Sequence, residues 1–301
     1  MYAFEYPGTT TDAPYSEMWC EITNRLGQTV KVESRINANY QLLFFDGLGE
    51  VGAESQTVKT SRSDGDRFIT NRLLPRPIQI IFNLKSDFLS KIPELRREVS
   101  RVINPRLSPF IIKYKEPGMP AMWIEASCDG SPSFSSAQAQ GFHTQRSGVN
   151  FTANDPYWRS EMQEHVMTAY DEAFSFPFTF PVEFGTQGQL VSIENNGHEV
   201  SMPRIEIEGP VDRPSIENLS TGEKFTLNRA IQTGETLVID NQNKSVRILS
   251  DDGSVNAARW KTFDSRWITV QLGENDIQYT AVAGSSGGTA TVFYYDRLVG
   301  I

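Results

Sequence analysis

Cysteine is almost absent from this chain: 301 residues hold two, Cys20 and Cys128, with no CxxC spacing. That excludes a disulfide-built scaffold and a zinc site of the usual kind. Each lies in an apolar, strand-like run and is expected to be a buried free thiol. Histidine is nearly as scarce. His143, His165 and His198 are the only three, far apart in sequence, and no G-x-S-x-G elbow accompanies any of them, so no nucleophilic relay is readable. Basic residues are in the minority, 28 Lys and Arg against 37 Asp and Glu, and the resulting formal charge of −9 argues against a nucleic-acid groove. The densest basic group, Arg96, Arg97 and Arg101, shares its segment with Glu94 and Glu98 and reads as a solvated helix face.

Long apolar runs are missing as well. None approaches the roughly 20 residues of a membrane-spanning helix, and the N-terminus shows no charged segment followed by an apolar one. The expectation is a soluble chain made in a cytoplasm, with no membrane partner. Gly284-Ser285-Ser286-Gly287-Gly288 lies between two strands instead of ahead of a helix, so it is a hairpin loop and no phosphate cradle. Asp251-Asp252-Gly253-Ser254 lacks the spaced acidic ligands of a calcium loop. No cofactor and no metal are expected.

What is present is an ordinary globular balance, 39% hydrophobic against 22% charged, in a chain long enough for two domains. In the first half, Met18–Thr23 and Gln28–Val32 read as strands about a turn at Asn24–Gly27, and Tyr40–Phe45 as an apolar strand ending in Asp46-Gly47-Leu48-Gly49. Ile78, Ile80, Phe82 and Leu84 alternate with Gln79, Ile81 and Asn83, the period of a strand with one buried face. The period then changes. Phe88, Ile92, Leu95, Val99 and Val102 form one helical stripe, with Ser90 as the expected N-cap, Pro93 in the first turn, and Asn104-Pro105 as the stop. Phe110–Lys115 and Met119–Cys128 flank Glu116-Pro117-Gly118, a type II turn sequence, and should pair as a hairpin.

The second half has no helical pattern. Phe174, Phe176, Phe178, Phe180, Val182 and Phe184 occupy every second position, and Pro177 and Pro181 place this segment at a sheet edge or in an extended arm. Its rings either form an aromatic contact surface or point into a core, and the core is favoured because large apolar side chains mostly end inside. Short strands follow between turn signals, among them Pro203–Ile207, Thr236–Ile239, Ser245–Leu249, Trp267–Val270 and Thr289–Tyr295, which indicates an antiparallel β-sandwich. Glu206 and Glu208 share a strand face, as a glycosidase pair would, but Ile205 and Ile207 claim the core side, and the carboxylates are left to water.

The two textures meet at Phe151-Thr152-Ala153-Asn154-Asp155-Pro156-Tyr157-Trp158. This segment resembles the F-x-x-x-D-P-Y-W stretch that closes the N-terminal domain of siphophage distal tail (Dit) proteins. Asp46–Gly49, Arg76–Ile80, the single helix and the hairpin to Cys128 are similar to that family's ring-forming domain. Asn195-x-Gly197, Pro203–Pro210, Leu272–Asn275 and Thr291–Tyr295 resemble its galectin-like sandwich.

The resemblance implies a mainly β fold. Residues 1–158 would form a barrel- or sandwich-like ring-forming domain with one helix near 86–104, and residues 159–301 a galectin-like antiparallel sandwich. It implies a structural, non-enzymatic hub of a long non-contractile tail, assembled in the host cytoplasm and placed at the tail tip of the virion. The implied partners are five further copies in a hexameric ring, the major tail tube protein, a tail-associated lysin or tail fibre protein and, in some members, a receptor-binding protein. Asp155, Pro156, Tyr157 and Trp158 are the expected domain junction, with both rings packed where the domains meet. A second reading makes the sandwich a module for a cell-wall saccharide, with Phe174, Phe176, Phe178, Phe180, Trp260 and Trp267 as stacking rings.

Overall fold

The computed structural model describes residues 18–35, 37–59, 64–88, 91–135, 143–168, 189–282 and 288–301. The chain divides into two compact units, Met1–Ser160 with Val299–Ile301, and Glu161–Leu298. The last three residues therefore belong to the first unit.

The first unit contains β1 (Trp19–Thr23), β2 (Thr29–Glu33), β3 (Tyr40–Asp46), β4 (Ala53–Lys59), β5 (Asp66–Leu73), β6 (Arg76–Lys85), α1 (Ile92–Val102), β7 (Phe110–Lys115), β8 (Met122–Cys128), β9 (Ser133–Phe134), β10 (Thr144–Ala153) and β11 (Trp158–Arg159). Strands β8, β7, β1, β2, β3, β6 and β10 pair in that order, and β10 pairs back onto β8 through Phe151↔Cys128 and Thr152↔Ser127. The sheet is thus closed on itself as a barrel, with the short strands β11 and β9 added at β8 and β10. Every described pairing is antiparallel except the single contact Glu33↔Gln41 between β2 and β3.

Strict alternation fills the interior. Ile78, Ile80, Phe82 and Leu84 of β6 are buried, as are Cys20, Ile22, Ile112, Ile124, Val149 and Phe151. Both cysteines are free and buried, and desolvation pushes the Cys20 thiol well above its ordinary pKa, so it stays protonated. The β7–β8 hairpin turns as expected, with Gly118 at φ +84° and Met119 N–H donating to Glu116 O at 3.3 Å. Strand β6 starts earlier than its prolines suggest: Pro77 lies inside it, opposite Thr152.

Helix α1 packs against β2 and β6 through Ile92, Val99 and Val102. Its start differs from the expectation. Phe88 precedes the helix and is exposed, Ser90 lies outside the described residues, and Lys91 stands at the N-cap without a side-chain cap bond. Pro93 does sit in the first turn, where it removes no intrahelical bond. The other end is held from afar. Asn24, buried in the β1–β2 turn, donates Nδ2–H to Val102 O at 3.0 Å, while its Oδ1 accepts from Leu26 N–H and Gln28 N–H. Asn24→Ala orphans these groups and is expected to cost about 1–3 kcal/mol. Urea unfolding reads this directly, and a loss below about 0.5 kcal/mol would refute the role.

The second unit contains β12 (Gln163–Thr168), β13 (Gln189–Asn195), β14 (Arg204–Glu208), β15 (Ser215–Asn218), β16 (Glu223–Thr226), β17 (Thr236–Asp240), β18 (Ser245–Ser250), β19 (Gly253–Asn256), β20 (Gly273–Thr280) and β21 (Thr289–Tyr294). One sheet runs β12-β21-β14-β17-β18-β19 and the other β13-β20-β15-β16, all antiparallel. Ile205, Ile207, Ile239 and Val292 of the first sheet share one core with Ile193, Ile216, Phe225 and Ile277 of the second. This is a β-sandwich.

One expected strand is absent. Among the described residues Trp267–Val270 makes only the bridge Ser201↔Val270, because buried asparagines take its backbone groups. Asn218 Nδ2–H donates to Thr269 O at 2.7 Å, Asn195 Nδ2–H to Val270 O at 3.0 Å, and Ile268 N–H donates to Asn241 Oδ1 at 2.9 Å. Side-chain amides here replace a ladder.

Candidate functional site

Two features of the first unit stand out. The first is a buried guanidinium at the foot of β6. Arg76 is fully buried and donates to three main-chain carbonyls: Nε–H to Pro156 O at 2.7 Å, Nη1–H to Gly47 O at 2.8 Å, and Nη2–H to Val299 O. None of these acceptors is a carboxylate. Desolvation accordingly draws the pKa of Arg76 below its ordinary value, and directed carbonyl dipoles hold the cation.

Gly47 makes the clamp possible. Its φ is +108°, and a Cβ there would meet Pro77 O and Ile78 Cγ1 at 2.9 Å each, so only glycine brings this carbonyl in. The same oxygen accepts Trp158 Nε1–H at 3.0 Å. Trp158 is fully buried beside Phe45, ring centroids 6.1 Å apart, and Phe45 also packs on Tyr114 at 4.6 Å. Around them Pro156 is buried, Tyr157 half-buried, and Asp155 pairs with Arg159 at 2.8 Å. Arg159 in turn lies over the Trp123 ring at 4.6 Å. The chain thus leaves the first unit near Ser160 and re-enters at Val299 at points that one arginine ties together.

The second feature is the ribbon formed by β4 and β5. Among the described residues these strands pair only with each other, with a register shift at Gln56/Thr57. No residue of either is buried, and Val58, Phe68 and Ile69 are each at least half exposed. Leu43 and Phe44 of β3 add exposed apolar surface in the preceding strand.

The sequence candidates in the second unit fare differently. Phe174, Phe176, Phe178 and Phe180 lie outside the described residues. Trp260 and Trp267 are half-buried against the sandwich core. Arg229 and Arg259 lie over the Trp260 ring at 4.4 and 4.0 Å, and Trp267 packs on Phe225 at 5.8 Å with Lys261 over it at 5.9 Å. Those ring contacts are already occupied by the protein. Glu206 forms an ion pair with Arg204 on the face opposite buried Ile205 and Ile207. Among the described residues no group of three His, Cys, Asp or Glu is arranged to hold a metal, and no helix is long and apolar enough to cross a membrane.

Residues 34–135 match the phage tail protein RIFT-related domain, and residues 196–297 match the C-terminal domain of the siphovirus-type tail component. The first match lies in the barrel unit and the second in the sandwich, in the order the resemblance required. The chain belongs to the siphophage distal tail protein family. It is a structural component of the phage tail, and the mainly β, two-domain fold of distal tail proteins is the fold seen here.

Among solved structures, the distal tail protein of phage SPP1, described as a paradigm of hub adsorption apparatus in phages infecting Gram-positive hosts, matches with a TM-score of 0.60 at 12% identity. The alignment covers 92% of this chain and 98% of that one. The baseplate of phage p2 in its activated conformation matches with TM-scores of 0.54 (with Ca) and 0.53 (with Sr), at 10% identity, over 92% of this chain and 97% of those. No curated protein matches significantly by sequence. At such identities the likeness carries the fold alone. What sequence reasoning missed in this distal tail protein is Arg76 as organiser. The available signal was an arginine opening an otherwise apolar, inward-alternating strand.

Proposed function

We propose that this chain is the ring-forming hub of its tail. Copies join through the first unit into a hexamer that continues the tail tube and carries the tail fibre or tail-associated lysin, and in some assemblies a receptor-binding protein. The sandwich unit is the outward, attachment-side part, and Asp155–Trp158 is the fixed root from which it departs. The role is structural and not enzymatic, and assembly takes place in the host cytoplasm before incorporation into the virion tail tip.

The β4–β5 ribbon carries this reading. A two-stranded ribbon with no buried side chain gains little from folding alone and presents two unpaired edges. Apolar residues at Val58, Phe68 and Ile69 raise the cost of leaving it in water. Pairing with a neighbouring copy removes both liabilities. Ribbon on one side and a different receiving surface on the other make a heterologous contact, which closes into a ring when the rotation per copy divides a full turn.

Electron microscopy of the purified full-length chain, and of the tail tip isolated from particles, tests this. Hexameric rings with a central hole are expected. A chain that stays monomeric alone and forms no such ring in the tail tip overturns the proposal.

A further inference from the structure

A separate feature of the second unit points outward. Phe263 is more exposed than any other large apolar residue described, at 107% of its reference area, so no neighbour shields the ring. It is nevertheless not loosely held. The turn Thr262–Ser265 closes with Ser265 N–H donating to Thr262 O at 3.2 Å, and the two hydroxyls lie 2.7 Å apart. Thr262 N–H donates to Thr226 O at 3.1 Å and Arg266 N–H to Lys224 O at 2.7 Å, tying both ends of the turn to β16. Buried Ser265 adds a further lock: its Oγ accepts from Thr226 N–H at 2.9 Å, and its carbonyl accepts from Lys261 Nζ at 2.8 Å. Trp267, two residues beyond Ser265, seats the segment against core Phe225.

A rigid turn that displays one bare aromatic ring has already lost the backbone entropy that binding would otherwise cost. The surroundings define what could receive it. Ala258–Trp267 carries Arg259, Lys261 and Arg266 against the single carboxylate of Asp264, in a chain whose formal charge is −9. Arg259 is further ordered by lying over Trp260. The tryptophans that would suit a sugar are packed against protein groups.

We infer that Phe263 is an anchor that inserts into an apolar pocket, rimmed by carboxylates, on a different protein of the tail tip. The ring supplies the buried centre of the contact, and Arg259, Lys261 and Arg266 the charged rim that orients it. This interface is independent of ring formation by the first unit.

Photo-crosslinking from benzoylphenylalanine in place of Phe263, in particles assembled by complementation, identifies the occupant. The expected product is a link to one other tail protein, at a peptide whose neighbourhood holds apolar side chains and Asp or Glu. With that protein purified, Phe263→Ala is expected to weaken binding to the full-length chain at least tenfold while leaving the melting temperature unchanged. Raising salt from about 0.05 to 0.5 M should weaken wild-type binding through the rim charges. Crosslinks only to another copy of this chain, to saccharide or to nothing overturn the proposal, as does wild-type affinity in Phe263→Ala.

Discussion

Arg76→Met is expected to unfold, or nearly unfold, the first unit. Methionine keeps most of the buried volume but donates nothing, so the carbonyls of Pro156 and Val299 lose their bonds to Arg76, and Gly47 O retains only Trp158. Each buried acceptor left unsatisfied costs about 1–3 kcal/mol. The two bonds lost at Pro156 and Val299 together reach a substantial part of the roughly 5–15 kcal/mol that holds a domain. Arg76→Lys should rescue little, because one ammonium on a flexible stem cannot span three carbonyls fixed around a planar fork. Hydrogen exchange should show the loss first at residues 155–158 and 299–301, the segments the side chain pins, and thermal unfolding should fall by many degrees. A melting temperature within about 2 °C of wild type would mean the clamp is not holding the fold.

Phe68→Asp combined with Ile69→Asp has the second large effect, and a different signature. Both side chains are exposed in the single chain, so its stability should hardly change. In the ring they would be covered. Losing about 1.5–3 kcal/mol of apolar burial per residue, and burying carboxylates in its place, should weaken each interface by at least a hundredfold. The penalty recurs at every contact around the ring, so rings should vanish from micrographs and light scattering should report monomer. Leu249→Asp on β18, an exposed position in the sandwich, serves as the control and should leave rings intact. Rings that persist in the double variant would remove the ribbon from the interface.

Much of the architecture was written in local pattern. Alternation over Ile78–Leu84, the Pro117-Gly118 turn and the apolar stripe around Val99 needed no tertiary information, because each is set by backbone geometry within about ten residues. Boundaries were less legible where the pattern is shared. Phe88 fits the helical spacing but lies before the helix and is exposed. Strands β15 (Ser-Ile-Glu-Asn) and β19 (Gly-Ser-Val-Asn) are too short and polar to announce themselves, and they exist because neighbouring strands supply their hydrogen bonds. Trp267–Val270 shows the converse, an apolar run whose backbone is satisfied by asparagine side chains.

The chain's residues by themselves determined its mainly β class and its two textures, since these rest on composition and short-range period. Only the tertiary structure could close the barrel through β8 and β10, leave β4 and β5 bare, and bring Arg76 to carbonyls 29, 80 and 223 residues away. A main-chain oxygen is the same in every residue type, so nothing in the side-chain pattern marks it as a partner until folding places it there.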